Sequence, residues 1–548
     1  MRVAILDGYV DEPSCLGVPP YVAPYPRYIY GMLKAFGEEP HYFTIDTLRT
    51  NPKLREKLRK FDLLVVIAGI AVPGKYLGGK PLSKRELFTV NLAKRNILVG
   101  PIALELSRKD VQQLEDCSIR VLSFPFERPL FQSLAELFGD AEYNVNQFAI
   151  VGAEVVKQHP DFPHIICEIE TYRGCYWGKC SFCIERIHRL WVRSPKDVVA
   201  EIKALYDSGV RYFRLGRQTD FFTYLADFSR DVPRPNPEGL RKFHRAIWQL
   251  CPKIKTLHLD NVNPKTLAEY PDESREIVKT VVMYQTPGNV AAMGLESADE
   301  VVVKKNTLCS TPDEVMQAIE IINRYGKAVG YNGLPYFLPG LNFVIGLKGE
   351  RKRTFEENYE FLLEVLERGL LLRRINIRQV KIFPGTPMER EGYRRLEKHK
   401  RYFRTFKRRV REEIDNAMLK RILPKWRKLS DLRVEVEGKI SYARQLATYP
   451  ILVGVVGRYP KNTFLDARVV DYGYRSVTAV KTPLDVNTAG FEEIQALVGD
   501  KARDIVARRP YGSVEEVVAV VGDIAKAFFI AAPSQTDTDG ALKTPHRI

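Results

Sequence analysis

Arg173-Gly174-Cys175-Tyr176-Trp177-Gly178-Lys179-Cys180-Ser181-Phe182-Cys183 is the stretch around which the rest of the chain reads. Three of the eight cysteines stand here within nine residues, spaced C-x4-C-x2-C. A turn this tight gathers three thiolates around one soft metal centre. Two glycines let the backbone fold around it, and Arg173 and Lys179 offset negative charge. With no fourth cysteine nearby, three thiolates suit an iron–sulfur cluster with one iron left open, whereas electron-transfer clusters are closed by four ligands. Zinc on Cys175, Cys180, Cys183 and His188 also matches by count. The ligand order and the position mid-chain after a strand differ from those of small zinc modules.

The motif resembles that of the radical S-adenosylmethionine (radical SAM) superfamily, and residues 164–390 look like its core. The superfamily usually spaces its cysteines C-x3-C-x2-C, and some branches carry C-x4-C-x2-C in an R-G-C-x-W-G-x-C-x-F-C setting similar to this one. The resemblance implies that Cys175, Cys180 and Cys183 hold a 4Fe–4S cluster whose open iron chelates S-adenosylmethionine. Reduction by a low-potential donor such as ferredoxin or flavodoxin then yields a 5′-deoxyadenosyl radical. Further matches follow in order, each at the end of an expected strand. Phe182 stands where the family has an aromatic against the adenine, or serves as packing. Gly216-Arg217-Gln218 stands where the family often has Gly-Gly-Glu contacting the cofactor's amino group; Arg217 and Gln218 instead offer donors for its carboxylate. Gly294-Leu295-Glu296-Ser297 is similar to its G-L-E-S run, and Gly346-Leu347-Lys348-Gly349-Glu350 to its G-L-x-G-E turn, which Glu350 would brace. Asp260 and Asn261 end the strand Thr256–Leu259, and polar groups at strand ends are where barrel folds keep their sites. Asp260, Asn261, Glu296 and Ser297 are thus expected ribose or amino-group ligands, with helix capping as the alternative for each.

The bulk composition agrees with a large globular chain. At 548 residues three or more domains are expected. No run approaches the roughly 18 apolar residues of a membrane span, and Asp7 interrupts the apolar start where a signal peptide would continue. Scattered cysteines make no disulfide framework. A cytoplasmic protein is expected. The net charge of +17 points to a polyanionic partner, nucleic acid ahead of membrane.

Along the chain, strands at Val3–Leu6, His41–Ile45, Leu63–Ile67, Ile97–Val99 and Ile119–Leu122 alternate with helices near Tyr28–Phe36, Lys84–Lys94 and Leu130–Leu137. This pattern gives a parallel sheet covered on both faces. The region resembles the cobalamin-binding-like domains that precede many radical SAM cores, but its D-x-H-x-x-G signature is absent, so the domain is expected without that cofactor. Cys15 and Cys117 are too few for the second cluster of methylthiotransferases. Between Glu389 and Lys428 stand 16 Lys and Arg against 6 Asp and Glu, interleaved with aromatics. Arg404, Lys407, Arg408, Arg409 and Arg411 are the candidate contacts to a phosphate backbone, with a solvated helical face as the alternative. Residues 431–481 alternate like a small β-barrel and resemble in placement the RNA-binding TRAM domain. Residues 484–530 resemble a helix–hairpin–helix unit lacking its second glycine, with Asn487 or Thr488 as cap.

The expected fold is α/β. A flavodoxin- or Rossmann-like domain (1–150) precedes a partial (βα)6 TIM-like radical SAM barrel (160–390). A basic helical linker (391–430), a TRAM/OB-like β-barrel (431–481), a helix–hairpin–helix unit (482–532) and a disordered tail (533–548) follow. The expected function is radical chemistry on a tRNA or rRNA base. The alternatives are a radical SAM enzyme for a small molecule or peptide, and a non-catalytic nucleic-acid-binding protein with a structural metal.

Overall fold

In a computed structural model, which describes residues 1–10, 15–70 and 78–531, the chain divides into two compact units. The first comprises Met1–Ile422 with Leu446–Pro450; the second comprises Leu423–Gln445 and the chain from Ile451 onward. The tail at 533–548 and part of the Pro-rich loop after Asp7 lie outside the described residues.

The first unit begins with β1 (Val3–Asp7), β2 (Tyr21–Val22), β3 (His41–Thr44), β4 (Leu63–Ile67), β5 (Arg95–Val99) and β6 (Ile119–Val121). Five of them form a parallel sheet in the order β3-β1-β4-β5-β6. This is the flavodoxin-like strand order, with its ligand crevice beyond the carboxyl ends of the strands. β4 is Leu-Leu-Val-Val-Ile and is buried throughout, as a strand covered on both faces must be. The helix expected over Lys84–Lys94 is one turn, Lys84–Leu87. The chain leaves it to enter β5, and the Asn96 amide fixes that turn by bonding both the N–H and the C=O of Ala93 at 3.0 Å. His41 starts β3 and His159 follows the 3-10 turn Gly152–Gln158, so neither stands at a strand's carboxyl end.

The core follows with β7 (Ile166–Glu170), the short hairpin of β8 (Tyr172–Arg173) and β9 (Trp191–Val192), then β10 (Tyr212–Gly216), β11 (Thr256–Leu259), β12 (Asn289–Glu296), β13 (Phe337–Ile345) and β14 (Arg374–Gln379). Its parallel sheets run β2-β7-β10-β11 and β12-β13-β14. A bridge between Asn261 and Ala292 links them, so the six strands from β7 to β14 form one arc. Helices such as Pro195–Asp207 and Pro312–Gly326 carry Val198, Ile202, Val315 and Ile319 into the same apolar core as Phe213, Leu215, Leu257 and Leu341. The opposite, concave face is polar: Glu168 and Glu170 on β7 stand in register with Arg214 and Gly216 on β10.

The chain packs across residue 150. β2 crosses over to pair with β7, and fully buried Arg27 joins Glu201 of the core at 2.8 Å. The expected linker at 391–430 is likewise part of the first unit up to Ile422. The helix Arg394–Arg409 buries His399 and Phe406, and its continuation buries Val410, Ile414 and Met418. Those five positions follow the 3–4 spacing of one helical stripe, which explains why so charged a segment still folds onto a core.

The second unit holds a closed barrel of β15 (Lys428–Val436), β16 (Ile440–Gln445), β17 (Leu452–Val456), β18 (Phe464–Tyr472) and β19 (Ser476–Lys481), ordered β15-β16-β17-β19-β18. β17 and β19 are parallel and the other pairings antiparallel, the pattern of a Greek-key barrel of the OB type. Four short helices follow between Phe491 and Phe528, enclosed by the parallel pair β20 (Leu484–Asp485) and β21 (Phe529–Ile530). The first of them is not capped by Asn487 or Thr488. Asn487 is committed to Tyr511, bonding its N–H at 2.8 Å and its C=O at 3.0 Å, and Gly490 stands at the cap instead.

Candidate metal and cofactor site

The cysteine loop leaves the carboxyl end of β7 and is pinned on several sides. The β8–β9 ladder pairs Arg173 with Trp191. Trp177 Nε1 donates to Thr307 O (2.8 Å), and Ser181 donates to Asn306 through N–H (3.0 Å) and Oγ (2.7 Å). Asn306 also donates to Lys348 O at 2.8 Å, which ties the loop to the Gly346–Glu350 turn. Gly174 and Gly178 take φ of +89° and +58°, a region in which other residues are strained.

Burial holds all three thiols above their ordinary range, with Cys183 pushed up to about 12. Cys183 raises Cys180, and both feel Cys175 and Glu296, so the three sulfurs and this carboxyl share one chamber. Backbone N–H groups of Trp177 and Gly178 point at Cys175 and favour its thiolate. Among the described residues no three His, Cys, Asp or Glu side chains converge on one ion-sized point. His188 is buried edge-on against Phe124 (5.5 Å), and burial lowers it to about 3.

The strand ends differ sharply in what they offer. At β10 a Cβ on Gly216 would stand 2.3 Å from Glu168 Oε1, so only glycine fits. Arg217 (φ +65°) is fully buried; its N–H donates to Glu168 (3.2 Å) and its Nε to Glu170 (3.3 Å). Gln218 donates to Leu215 O (2.9 Å) and accepts from Thr171 (3.1 Å). The expected role of these side chains as donors to a cofactor carboxylate is therefore not what the structure shows. Arg217 answers the two buried glutamates of β7 instead, and Gln218 is spent on Leu215 and Thr171. Asp260, after β11, pairs with Arg214 and accepts from Tyr449 Oη (2.9 Å) and Asn261 Nδ2 (3.0 Å).

At β12 a bulge between Gly294 and Glu296 turns Glu296 inward with φ +61°. Its Oε2 is buried with no hydrogen-bond partner, and burial alone pushes the carboxyl up to about 8. Ser297 is spent locally: its Oγ accepts from Asp299 N–H at 3.2 Å and contacts Asn358 at 3.4 Å, while the cap of the following helix is Asp299. Glu350 braces its turn as expected, accepting from Gly346 N–H (2.7 Å) and pairing with His399 (2.8 Å). Phe182 is half-buried against Leu347, Val380 and Met388, a packing role beneath that turn. Tyr449 and Arg374, which meet at 3.9 Å inside the arc, escaped the sequence reading. They are 75 residues apart, and no local pattern marks either.

The basic residues also separate. Arg404, Lys407 and Arg408 are exposed, and with Arg394, Lys398 and Arg401 they form a stripe along one helix. Arg411 is instead turned inward, paired with Asp415 and donating to Ile375 O (3.0 Å). Arg409 stacks on Tyr359 at 3.8 Å and pairs with Glu413 at 3.4 Å.

No protein-family model matches the chain. It is 72% identical over 522 residues to an uncharacterized protein of Archaeoglobus fulgidus, covering 95% of this chain and 98% of that one. It is 44% identical to the uncharacterized protein MJ0274 of Methanocaldococcus jannaschii, over 87% of this chain and 92% of the other. The chain belongs to the MJ0274 family. Among solved structures it is similar to the radical S-adenosylmethionine methyltransferase TsrM from Kitasatospora setae. The form with tryptophan substrate and a SAM analog gives a TM-score of 0.51 at 15% identity over 71% of this chain and 75% of that one; the form with cobalamin and a [4Fe-4S] cluster gives 0.50 at 14%. At this identity the likeness shows the fold alone, which this chain shares with that methyltransferase. Among the described residues no helix is long and apolar enough to cross a membrane.

Proposed function

We propose that the chain is a radical SAM enzyme that acts on a nucleic acid. The observation that carries the first half is the chamber at the ends of β7 and β12, where three pinned cysteines face a buried carboxyl that has no partner. An unpaired buried carboxyl costs roughly 1–3 kcal/mol, and a bound ammonium group offsets that cost. Cys175, Cys180 and Cys183 would hold the 4Fe–4S cluster, and Glu296 the amino group of S-adenosylmethionine; Gly346 and Glu350 would shape the adenine side. When bound, the cluster supplies the electron for reductive cleavage of S-adenosylmethionine. The protein holds the thiols in one loop, keeps Glu296 away from water and fixes the turn across from it.

The nucleic-acid half rests on the exposed stripe of helix Arg394–Arg409. A row of one sign at helical spacing is self-repelling unless a polyanion answers it. The OB-type barrel adds exposed Tyr442, Ile440 and Val436 on neighbouring strands, and such barrels stack bases on aromatic side chains. The helices at 491–528 stand where a helix–hairpin–helix unit would bind backbone. A small-molecule substrate is the second reading, favoured by the tryptophan in the similar TsrM structure.

The test is anaerobic reconstitution with iron and sulfide, then dithionite and S-adenosylmethionine, scoring 5′-deoxyadenosine by mass spectrometry. Wild type should form it, and the Cys175/Cys180/Cys183→Ala variant should form none. Purified protein holding one zinc and no iron would defeat the reading. In the same preparations, RNA affinity should fall with salt, and Arg401/Arg404/Arg408→Gln should flatten that slope by about two units of log K per log[salt]. Activity that is insensitive to salt, without bound RNA, would favour the small molecule.

A further inference from the structure

The concave face of the core carries a second group that the cofactor chamber does not use. On β14, Ile375 and Ile377 are buried in the apolar core. Arg374, Asn376 and Arg378 therefore face the other way, into the arc, and all three are half-exposed there. Beneath them lies the segment Leu446–Pro450. It is held by Thr256 Oγ1 donating to Leu446 O (2.6 Å), by Thr448 N–H donating to His258 Nδ1 (3.0 Å) and by Arg373 donating to Tyr449 O (2.7 Å). The Tyr449 hydroxyl reaches Asp260 at the end of β11, and its ring lies 3.9 Å from the Arg374 guanidinium on β14. Only the concave side lets one side chain touch strands that far apart in the arc. Tyr449 takes φ +50° to do so, a strain of order 1 kcal/mol or more for a residue with a Cβ, which persists where surrounding contacts over-determine it.

The charges on this face are answered unevenly. Arg214 has Glu168 and Asp260, and Arg217 has Glu170. Among the described residues Arg374 meets no carboxylate, and its guanidinium lies on the Tyr449 ring. A ring stacks a cation and orients it but leaves its hydrogen-bond donors free. A half-exposed guanidinium held flat on an aromatic floor presents the planar fork that suits an oxyanion.

We propose that Arg374, with Asn376 and Arg378 beside it and Tyr449 as floor, is the subsite for a phosphate of the substrate. The substrate class it implies is a nucleotide unit entering the arc phosphate-first along β14. The inference deepens the proposed nucleic-acid reading and rests on it for the identity of the phosphate carrier.

The test titrates reconstituted full-length protein with a dinucleotide bearing a 5′-phosphate, and with the same dinucleotide lacking it. S-adenosylmethionine binding is measured on the same samples. Wild type should prefer the phosphorylated form by about 10-fold. Arg374→Gln should erase the preference, Arg374→Lys should restore part of it, and Lys242→Gln on the outer helices should leave it intact. Tyr449→Phe keeps the stacked ring and should keep the preference, which covers the case in which Arg374→Gln fails to fold. A preference that survives Arg374→Gln, or its absence in wild type, overturns the subsite. Citrate displacing the dinucleotide as well as inorganic phosphate does would overturn the phosphate assignment in favour of a carboxylate. A phosphate preference in protein that binds no S-adenosylmethionine would leave the subsite standing and bring down the radical reading.

Discussion

The carboxyl ends of β10 and β12 use the same backbone device for opposite purposes. Each carries a non-glycine residue in the left-handed region, Arg217 at φ +65° and Glu296 at φ +61°. Each also has a glycine placed so that a carboxylate can come close, Glu168 beside Gly216 and Glu296 beside Gly294. At β10 the charges are answered from within: Glu168 receives Leu16 N–H (2.7 Å), Arg214 (2.5 Å) and Arg217 N–H (3.2 Å). At β12 the carboxyl is buried and unanswered. The first end is scaffold. The second is a place kept for a cation.

The largest effect should come from breaking the answered end. Arg217→Ala leaves Glu170 with Arg173, and Glu185 without that guanidinium, and losing a buried hydrogen bond to a charged group costs about 3 kcal/mol. Denaturant unfolding of the iron-free protein should show that loss. A change below about 1 kcal/mol would mean that the β10 network is not a scaffold.

Glu296→Gln should do the reverse, with no loss of stability in iron-free protein but about 10-fold weaker S-adenosylmethionine binding to reconstituted protein. The pH dependence has a definite sign. The native carboxyl is raised by burial to about 8 from its ordinary 4.5, so the native state holds a proton that the unfolded state has lost. Its contribution to stability therefore falls as pH rises between those two values. Glu296→Gln should remove that part of the slope in unfolding curves from pH 5 to 8. An unchanged slope would show that Glu296 is partnered in solution.

The contrast explains how much could be read beforehand. Strand ends such as Leu63–Ile67 and Thr256–Leu259 were legible to the residue, because continuous apolar runs bounded by turn residues leave little choice. The cysteine loop and the Glu350 brace were legible because spacing encodes them locally. The misreadings at Gly216-Arg217-Gln218 and Ser297 share another cause. Whether a polar residue at a strand end faces a ligand or an internal partner depends on residues 40 to 60 positions away, such as Glu170 and Asn358. Arg411 misled for the same reason, since its Asp415 partner is local but the Ile375 carbonyl it satisfies is not. Tyr449 was invisible because its partner Asp260 lies 189 positions away, and no local pattern links the two.

The smallest expected effect separates the two ends most finely, through their glycines. A methyl at Gly216 would stand 2.3 Å from Glu168 Oε1 and 2.7–2.8 Å from Cδ and Cγ of the same side chain. That carboxylate is clamped by three donors, so Gly216→Ala should cost about 1–3 kcal/mol in unfolding, as overpacking does. A methyl at Gly294 would stand 2.6 Å from Glu296 Oε1, but the next atoms of that side chain are 3.5 and 3.9 Å away. With nothing holding the Glu296 carboxyl, its end can swing aside. Gly294→Ala should therefore leave stability within about 0.5 kcal/mol while weakening S-adenosylmethionine binding, because the acceptor has been moved rather than removed. Equal stability losses at the two glycines would mean that Glu296 is as firmly held as Glu168, and the distinction between a scaffold end and a ligand end would fail.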